Sequence, residues 1–244
     1  MRFHTHPFLL AIPVLAFLPQ ISAQRASAQT LIHHYTFGTD AADSVGSANG
    51  TLNNGAVAGG GILSLSGTAN VSFTQHIVPT SGAYSVALFA RQDALQANFR
   101  EWISQGVSGG PGFYMGYQAG GGIRATDSWL TTGTSFTANG IFEHIALVTD
   151  GATSSLYLNG VLSATLASGL NTTAGGDDTR FGKQFSPFNE YFHGDIADIR
   201  IYSGALSAQQ VASLATTPEP GSMALLGALG IAGVGFARRR RERR

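Results

Sequence analysis

Short strand-like runs under close punctuation constrain this chain more than any other feature. "LIHHYTF", "GGILSL", "NVSFT", "YSVALFAR", "FREWISQG", "GFYMGYQ", "GGIRATDS", "FEHIALVTD", "SSLYLNGVLSATL", "DTRFGKQ" and "GDIADIRIYS" are rich in Val, Ile, Leu, Phe, Tyr and Thr, and each is bounded by Gly, Asn, Asp or Ser. Branched and aromatic side chains suit a pleated surface, and the bounding residues suit turns. The turn signals recur at roughly the 8–12-residue spacing of an all-β sandwich. Asn159-Gly160 in "LYLNGVLSA" predicts a two-residue hairpin, because both residues tolerate positive φ. Between the two ends of the chain only "SAQQVASLA", Ser207–Ala215, reads as a helix, with Ser207 as its cap. The glycine clusters Gly59–Gly61, Gly109–Gly112 and Gly120–Gly122 precede no helix, so they read as loops and not as phosphate cradles.

The two ends have a different character. Residues 1–28 read as a secretory signal peptide. Arg2, His4 and His6 lead into the apolar "PFLLAIPVLAFLP", and the small residues of "ASA", Ala26–Ala28, offer a signal peptidase site, with "ISA" ending at Ala23 as a second one. At the other end, residues 221–237, "GSMALLGALGIAGVGFA", carry no charge. As a helix they would cover roughly 25 Å, close to the ~30 Å hydrocarbon core. Six arginines follow between Arg238 and Arg244, and the positive-inside rule keeps such a cluster in the cytoplasm. Pro218 and Pro220 stop the helix upstream and hold Glu219 extended. The formal net charge of +0 hides this asymmetry. Between residues 29 and 217 only six basic residues face twelve acidic ones, which argues against nucleic-acid binding. The chain has no cysteine, so disulfides and thiolate metal sites are excluded.

The layout of Pro218-Glu219-Pro220, apolar helix and terminal arginines resembles the PEP-CTERM sorting signal of Gram-negative bacteria. That resemblance implies a transient inner-membrane anchor over residues 217–244, recognition by an exosortase-type enzyme, and a cell-surface or exopolysaccharide destination. The body, residues 29–216, resembles the LamG-like, concanavalin A-like family in three stretches: "HYTFGTDAADSVGSANGTL", "FEHIALVTDGATSSLYLNGVL" and "FHGDIADIRIYSGALSAQQVASL". The resemblance implies a two-sheet antiparallel jelly roll. Phe142 stands where that family usually has Trp, and Ala197 stands where it usually has an acidic residue.

Catalytic patterns are missing from the sequence. Glycoside hydrolysis on this fold would need paired carboxylates on one strand, and Glu101, Glu143 and Glu190 lie far apart in sequence. No G-x-S-x-G elbow occurs. His33 and His34 are adjacent, so on a strand they point to opposite faces and cannot share an ion. Resemblance to LamG-like modules implies a calcium site, with Asp43 in "ADSVG" and Asp198 on the last strand as side-chain ligands; Asp43 could instead cap its own turn. Sugar stacking would fall to exposed aromatics, for which Tyr114, Tyr117, Trp129 and Tyr191 are the candidates, with Phe188 and Phe192 near them. The expected function is a non-catalytic, exported module that binds extracellular polysaccharide or matrix. A polysaccharide hydrolase and a purely structural biofilm protein are the alternatives.

Overall fold

The computed structural model describes Met1 and residues 29–106, 112–125, 129–170, 178–184 and 189–216. The expected signal peptide after Met1, the sorting motif Pro218-Glu219-Pro220, the span 221–237 and Phe188 lie outside the described residues. Among those described, no helix is long and apolar enough to cross a membrane.

The elements in chain order are β1 (Thr30–Tyr35), β2 (Thr51–Asn53), β3 (Val57–Gly59), β4 (Ile62–Leu65), β5 (Asn70–Phe73), β6 (Tyr84–Arg91), β7 (Arg100–Gly106), β8 (Gly112–Tyr117), β9 (Gly122–Ala125), β10 (Trp129–Ser135), β11 (Glu143–Thr149), β12 (Ser154–Leu158), β13 (Val161–Leu166), β14 (Asp178–Phe181), β15 (Gly194–Ser203) and α1 (Ala208–Ala215). They form two antiparallel sheets. The eight-stranded sheet runs β13-β12-β11-β6-β15-β4-β3, with β1 also paired to β15; the seven-stranded sheet runs β10-β9-β8-β7-β14-β5-β2. The expected sandwich is therefore present.

Side-chain alternation builds the layers. Tyr84, Val86, Leu88 and Ala90 of β6 join Ile145 and Leu147 of β11 in the core between the sheets. The opposing sheet contributes Trp102, Ile103, Phe113, Met115, Tyr117 and Phe181 to that core. Aromatic edges interlock there, with the Phe73 and Phe181 ring centroids 4.7 Å apart and those of Trp102 and Phe136 5.2 Å apart. The outer face of the eight-stranded sheet is also apolar. Ala87, Ala146, Val148 and Tyr157 are covered by Leu206 and by Val211 of α1. The Ser207 cap holds as expected: its side chain accepts from the Gln210 N–H, and Gln210 answers at the Ser207 N–H.

The Asn159-Gly160 turn forms with φ of 50° and 80°. The Asn159 carboxamide oxygen also accepts from the His144 N–H at 2.9 Å, which ties the hairpin to β11. The two departures from the family pattern meet in one cluster. Phe142 packs with Phe89 and the fully buried Ala197, and Arg91 lies 4.5 Å above the Phe142 ring. An acidic side chain at position 197 would be buried beneath these rings.

Candidate functional site

The outer face of the seven-stranded sheet is polar, unlike that of its partner. A bulge in β7 between Glu101 and Ile103 sends Trp102 into the core and turns Glu101 outward. Glu101, Gly116 and Arg124 then lie side by side across β7, β8 and β9. Gly116 makes this row possible. A Cβ there would collide with the Arg100 carbonyl oxygen and approach Glu101 Oε2 to 2.5 Å. Over the glycine, Arg124 donates to Glu101 Oε1 at 3.0 Å, and the same nitrogen lies 3.8 Å from Glu190 Oε2. The guanidinium carbon is also 4.4 Å from the ring centroids of both Phe99 and Tyr114, a cation–π arrangement. Glu101 is 0% exposed and Arg124 8%.

This cluster joins residues that sequence reasoning kept apart. Glu101 and Glu190 are 89 positions apart yet share one arginine nitrogen. Glu143 belongs to the other sheet, where its Oε2 accepts from the Thr137 N–H at 2.6 Å. Arg124, Phe99 and Lys183 were not foreseen. An arginine two places after a glycine cluster carries no local signal, since its role depends on register with β7.

The aromatic candidates divide. Tyr117 is not available to a ligand: alternation places it in the core, where its hydroxyl donates to Gln92 Oε1 at 2.8 Å and its ring stacks on Phe136. Tyr114 shares the outer face with Glu101 but is buried beneath Arg124. Tyr191 is half-buried at the rim, bridged to Glu101 through the backbone, with Lys183 Nζ 5.3 Å from its ring centroid. Phe99, 37% exposed, lies at the rim as well. Trp129 opens β10 opposite Ala125; its side chain lies outside the described residues. Phe192 is core.

The two expected calcium ligands do not converge. Asp43 Oδ2 bonds His33 Nδ1 at 2.6 Å and accepts from the Ala48 N–H, while its Oδ1 accepts from the N–H groups of His34, Val45 and Gly46. These donors outweigh the effect of burial and draw its carboxyl down to about 2. Asp198 Oδ1 instead bonds His34 Nε2 at 2.7 Å and Arg200 Nε at 2.9 Å. The adjacent histidines thus diverge as expected, each taking one acid. A carboxylate already saturated by N–H donors does not fit a calcium shell built from oxygens. Among the described residues, no three His, Asp or Glu side chains gather as a metal site.

With this geometry in place, comparison with known proteins is informative. The family model of the concanavalin A-like lectin/glucanases superfamily matches residues 65–212, more than half of the chain. The chain belongs to this superfamily. A second model, the PEP-CTERM protein-sorting motif, matches residues 216–241, just after the concanavalin A-like domain. No curated protein matches the sequence. Among solved structures, domain 4 of AbnA, a GH43 extracellular arabinanase from Geobacillus stearothermophilus solved with arabinotriose, is similar with a TM-score of 0.66 and 23% identity, covering 78% of this chain and 100% of that one. Trypanosoma rangeli sialidase is similar with a TM-score of 0.59 and 13% identity, covering 76% of this chain but 32% of the sialidase. At these identities the likeness is one of fold.

Proposed function

We propose that the protein is an exported, non-catalytic glycan- or matrix-binding module, delivered by an exosortase-type system through its C-terminal motif. One observation carries the reading: a concanavalin A-like domain is followed directly by a PEP-CTERM motif in the same chain. In this reading residues 1–28 are removed by signal peptidase, and residues 217–244 anchor the precursor in the inner membrane of a Gram-negative cell until processing. The body then reaches the cell surface or the extracellular polysaccharide.

The polar face supports binding over hydrolysis. A glycosidase acid must be protonated and must reach the glycosidic oxygen. Glu101 is fully buried and bonded to a guanidinium, which keeps it from a sugar. The rim offers Phe99 and Tyr191, with Lys183 beside the Tyr191 ring: aromatic faces for sugar C–H groups and a cation for acidic polysaccharide. The arabinotriose in domain 4 of AbnA lends this reading an analogy.

The test is a glycan array with the full chain, followed by titration of the best ligand and a reducing-sugar assay. Binding without turnover is expected. Tyr191→Ala and Phe99→Ala are each expected to weaken binding about tenfold, the scale of one lost aromatic contact. Turnover abolished by Glu101→Gln or Glu190→Gln would overturn the reading in favour of a hydrolase. Absence of any glycan binding would favour a purely structural matrix protein.

A further inference from the structure

Glycine follows asparagine four times in the chain, at Asn49-Gly50, Asn54-Gly55, Asn139-Gly140 and Asn159-Gly160. The pair is chemically fragile. Asparagine is a thermolabile residue, and a glycine behind it, lacking a Cβ, leaves the next amide nitrogen unshielded to attack the side-chain carbonyl. The fold guards three of the four pairs. Asn49 Oδ1 accepts from the Asp43 N–H at 2.9 Å, and the Gly50 N–H donates to the Ala41 carbonyl at 2.9 Å. Asn139 Oδ1 accepts from the Ile141 N–H at 3.0 Å, and the Gly140 N–H donates to the Gln92 carbonyl at 2.9 Å. Asn159 Oδ1 accepts from the His144 N–H at 2.9 Å, the Asn159 N–H donates to the His144 carbonyl at 2.7 Å, and Gly160 lies against α1, where a Cβ would stand 3.0 Å from Ala212 Cα. Asn54-Gly55 is built differently. Both residues are exposed, and a Gly55 Cβ would meet open space. Among the described residues, Asn54 Oδ1 accepts no hydrogen bond and the Gly55 N–H donates none; the side chain is held only where Nδ2 donates to the Thr68 carbonyl at 3.3 Å.

We propose that Asn54 is a site of spontaneous deamidation, at which the link between the two sheets is rebuilt. The Gly55 nitrogen attacks Asn54 Cγ. The N–Cγ bond forms, the Cγ–Nδ2 bond breaks, and the side-chain nitrogen leaves as ammonia with the amide proton. Water then opens the cyclic imide at either carbonyl, giving aspartate or isoaspartate. The position gives this change its effect. Asn53 to Ala56 form a tight turn, closed by the Ala56 N–H on the Asn53 carbonyl at 3.0 Å, with φ of 53° at Asn54 and 86° at Gly55. That turn carries the chain from β2 of the seven-stranded sheet to β3 of the eight-stranded sheet. Isoaspartate adds a backbone carbon and a negative charge to the link. β2 and β3 are edge strands of three residues each, and Leu52, Ala56 and Ala58 pack on the core. Such short strands have little pairing with which to absorb a longer path.

Ageing the full chain in mildly alkaline buffer, folded and in guanidinium chloride, tests the site. Fragment-ion mass spectrometry locates each exchange of NH2 for OH and separates isoaspartate from aspartate. In the folded chain Asn54 is expected to convert first, mainly to isoaspartate, while Asn49, Asn139 and Asn159 stay intact. In denaturant all four are expected to convert side by side. Hydrogen exchange on the aged, folded chain is expected to show a loss of amide protection in β2 and β3, with β6 and β11 unchanged. Asn54→Gln, whose longer side chain places the carbonyl out of reach of that ring, is expected to abolish both effects of ageing. Conversion of another of the four ahead of Asn54 in the folded chain, or an intact Asn54 once the denatured sample has converted, would overturn the proposal. So would unaltered exchange in β2 and β3 after conversion, or ageing effects that persist in Asn54→Gln.

Discussion

Replacing Arg124 by methionine is expected to destabilise the fold by about 3–5 kcal/mol, the scale on which removal of one partner from a buried ion pair is felt. The size follows from the place of the pair. Glu101 is 0% exposed, and the Arg124 nitrogen 3.0 Å away is the cation that it is bonded to. The same guanidinium touches the Phe99 and Tyr114 rings and lies near Glu190, so its removal also strips packing from the face. A double-mutant cycle in urea separates these parts. The Glu101→Gln, Arg124→Met double variant is expected to be clearly more stable than the sum of the single losses implies, because neutralising the acid removes the charge that Arg124 compensates. A loss below about 1 kcal/mol for Arg124→Met would be typical of an exposed pair, and would show that the two charges are solvated and the face open.

Acid is expected to cost the protein about 3 kcal/mol between pH 6.5 and pH 4, with one residue responsible. His144 is 2% exposed, and neither ring nitrogen has a hydrogen-bond partner among the described residues; the Phe89 ring stands edge-on, with centroids 4.9 Å apart. Burial pushes its pKa down to about 4; Asp198 opposes this and Arg200 adds to it. The unfolded chain takes up a proton near pH 6.5, whereas the folded chain resists until about 4. Stability is therefore whole above pH 6.5 and falls through this window at up to about 1.4 kcal/mol per pH unit. Asp43 and Asp198 are held below their ordinary values, so the stability that they add is lost only at lower pH. His144→Leu is expected to flatten the curve between pH 6.5 and 4. It should leave stability at pH 7.5 within about 1 kcal/mol, since no hydrogen bond to the ring is lost. An unchanged slope in His144→Leu would assign the acid sensitivity to other groups.

Much of the fold could be read in advance because it was encoded locally. "YSVALFAR" became β6 residue for residue, Asn159-Gly160 took the expected turn, and Ser207 capped α1. What escaped notice was short or non-local. β2 and β3 have three residues each, and β10, "WLTTGTS", is interrupted by a glycine and has no apolar residue after Leu130. The candidate face was hardest to see. Alternation alone could have excluded Tyr117, which shares a strand face with Phe113 and Met115 of the core. The meeting of Glu101 with Arg124 depends instead on a bulge, on a glycine between them and on the order of three strands. No spacing in the sequence reports these together. Asp43 and Asp198 stood out in the sequence as calcium ligands, whereas each binds an imidazole brought in by the same strand, β1.

The central claim is that a folded sandwich is exported and then parted from its tail. It is tested most directly by following a C-terminal epitope and the body together in cells that carry an exosortase-type system. The account predicts the body on intact cells or in the matrix without the epitope, and an uncleaved, membrane-bound precursor when Pro218, Glu219 and Pro220 are all replaced by alanine. A body that remains in the cytosol, a surface form that keeps the epitope, or a triple variant processed like the native chain would contradict it.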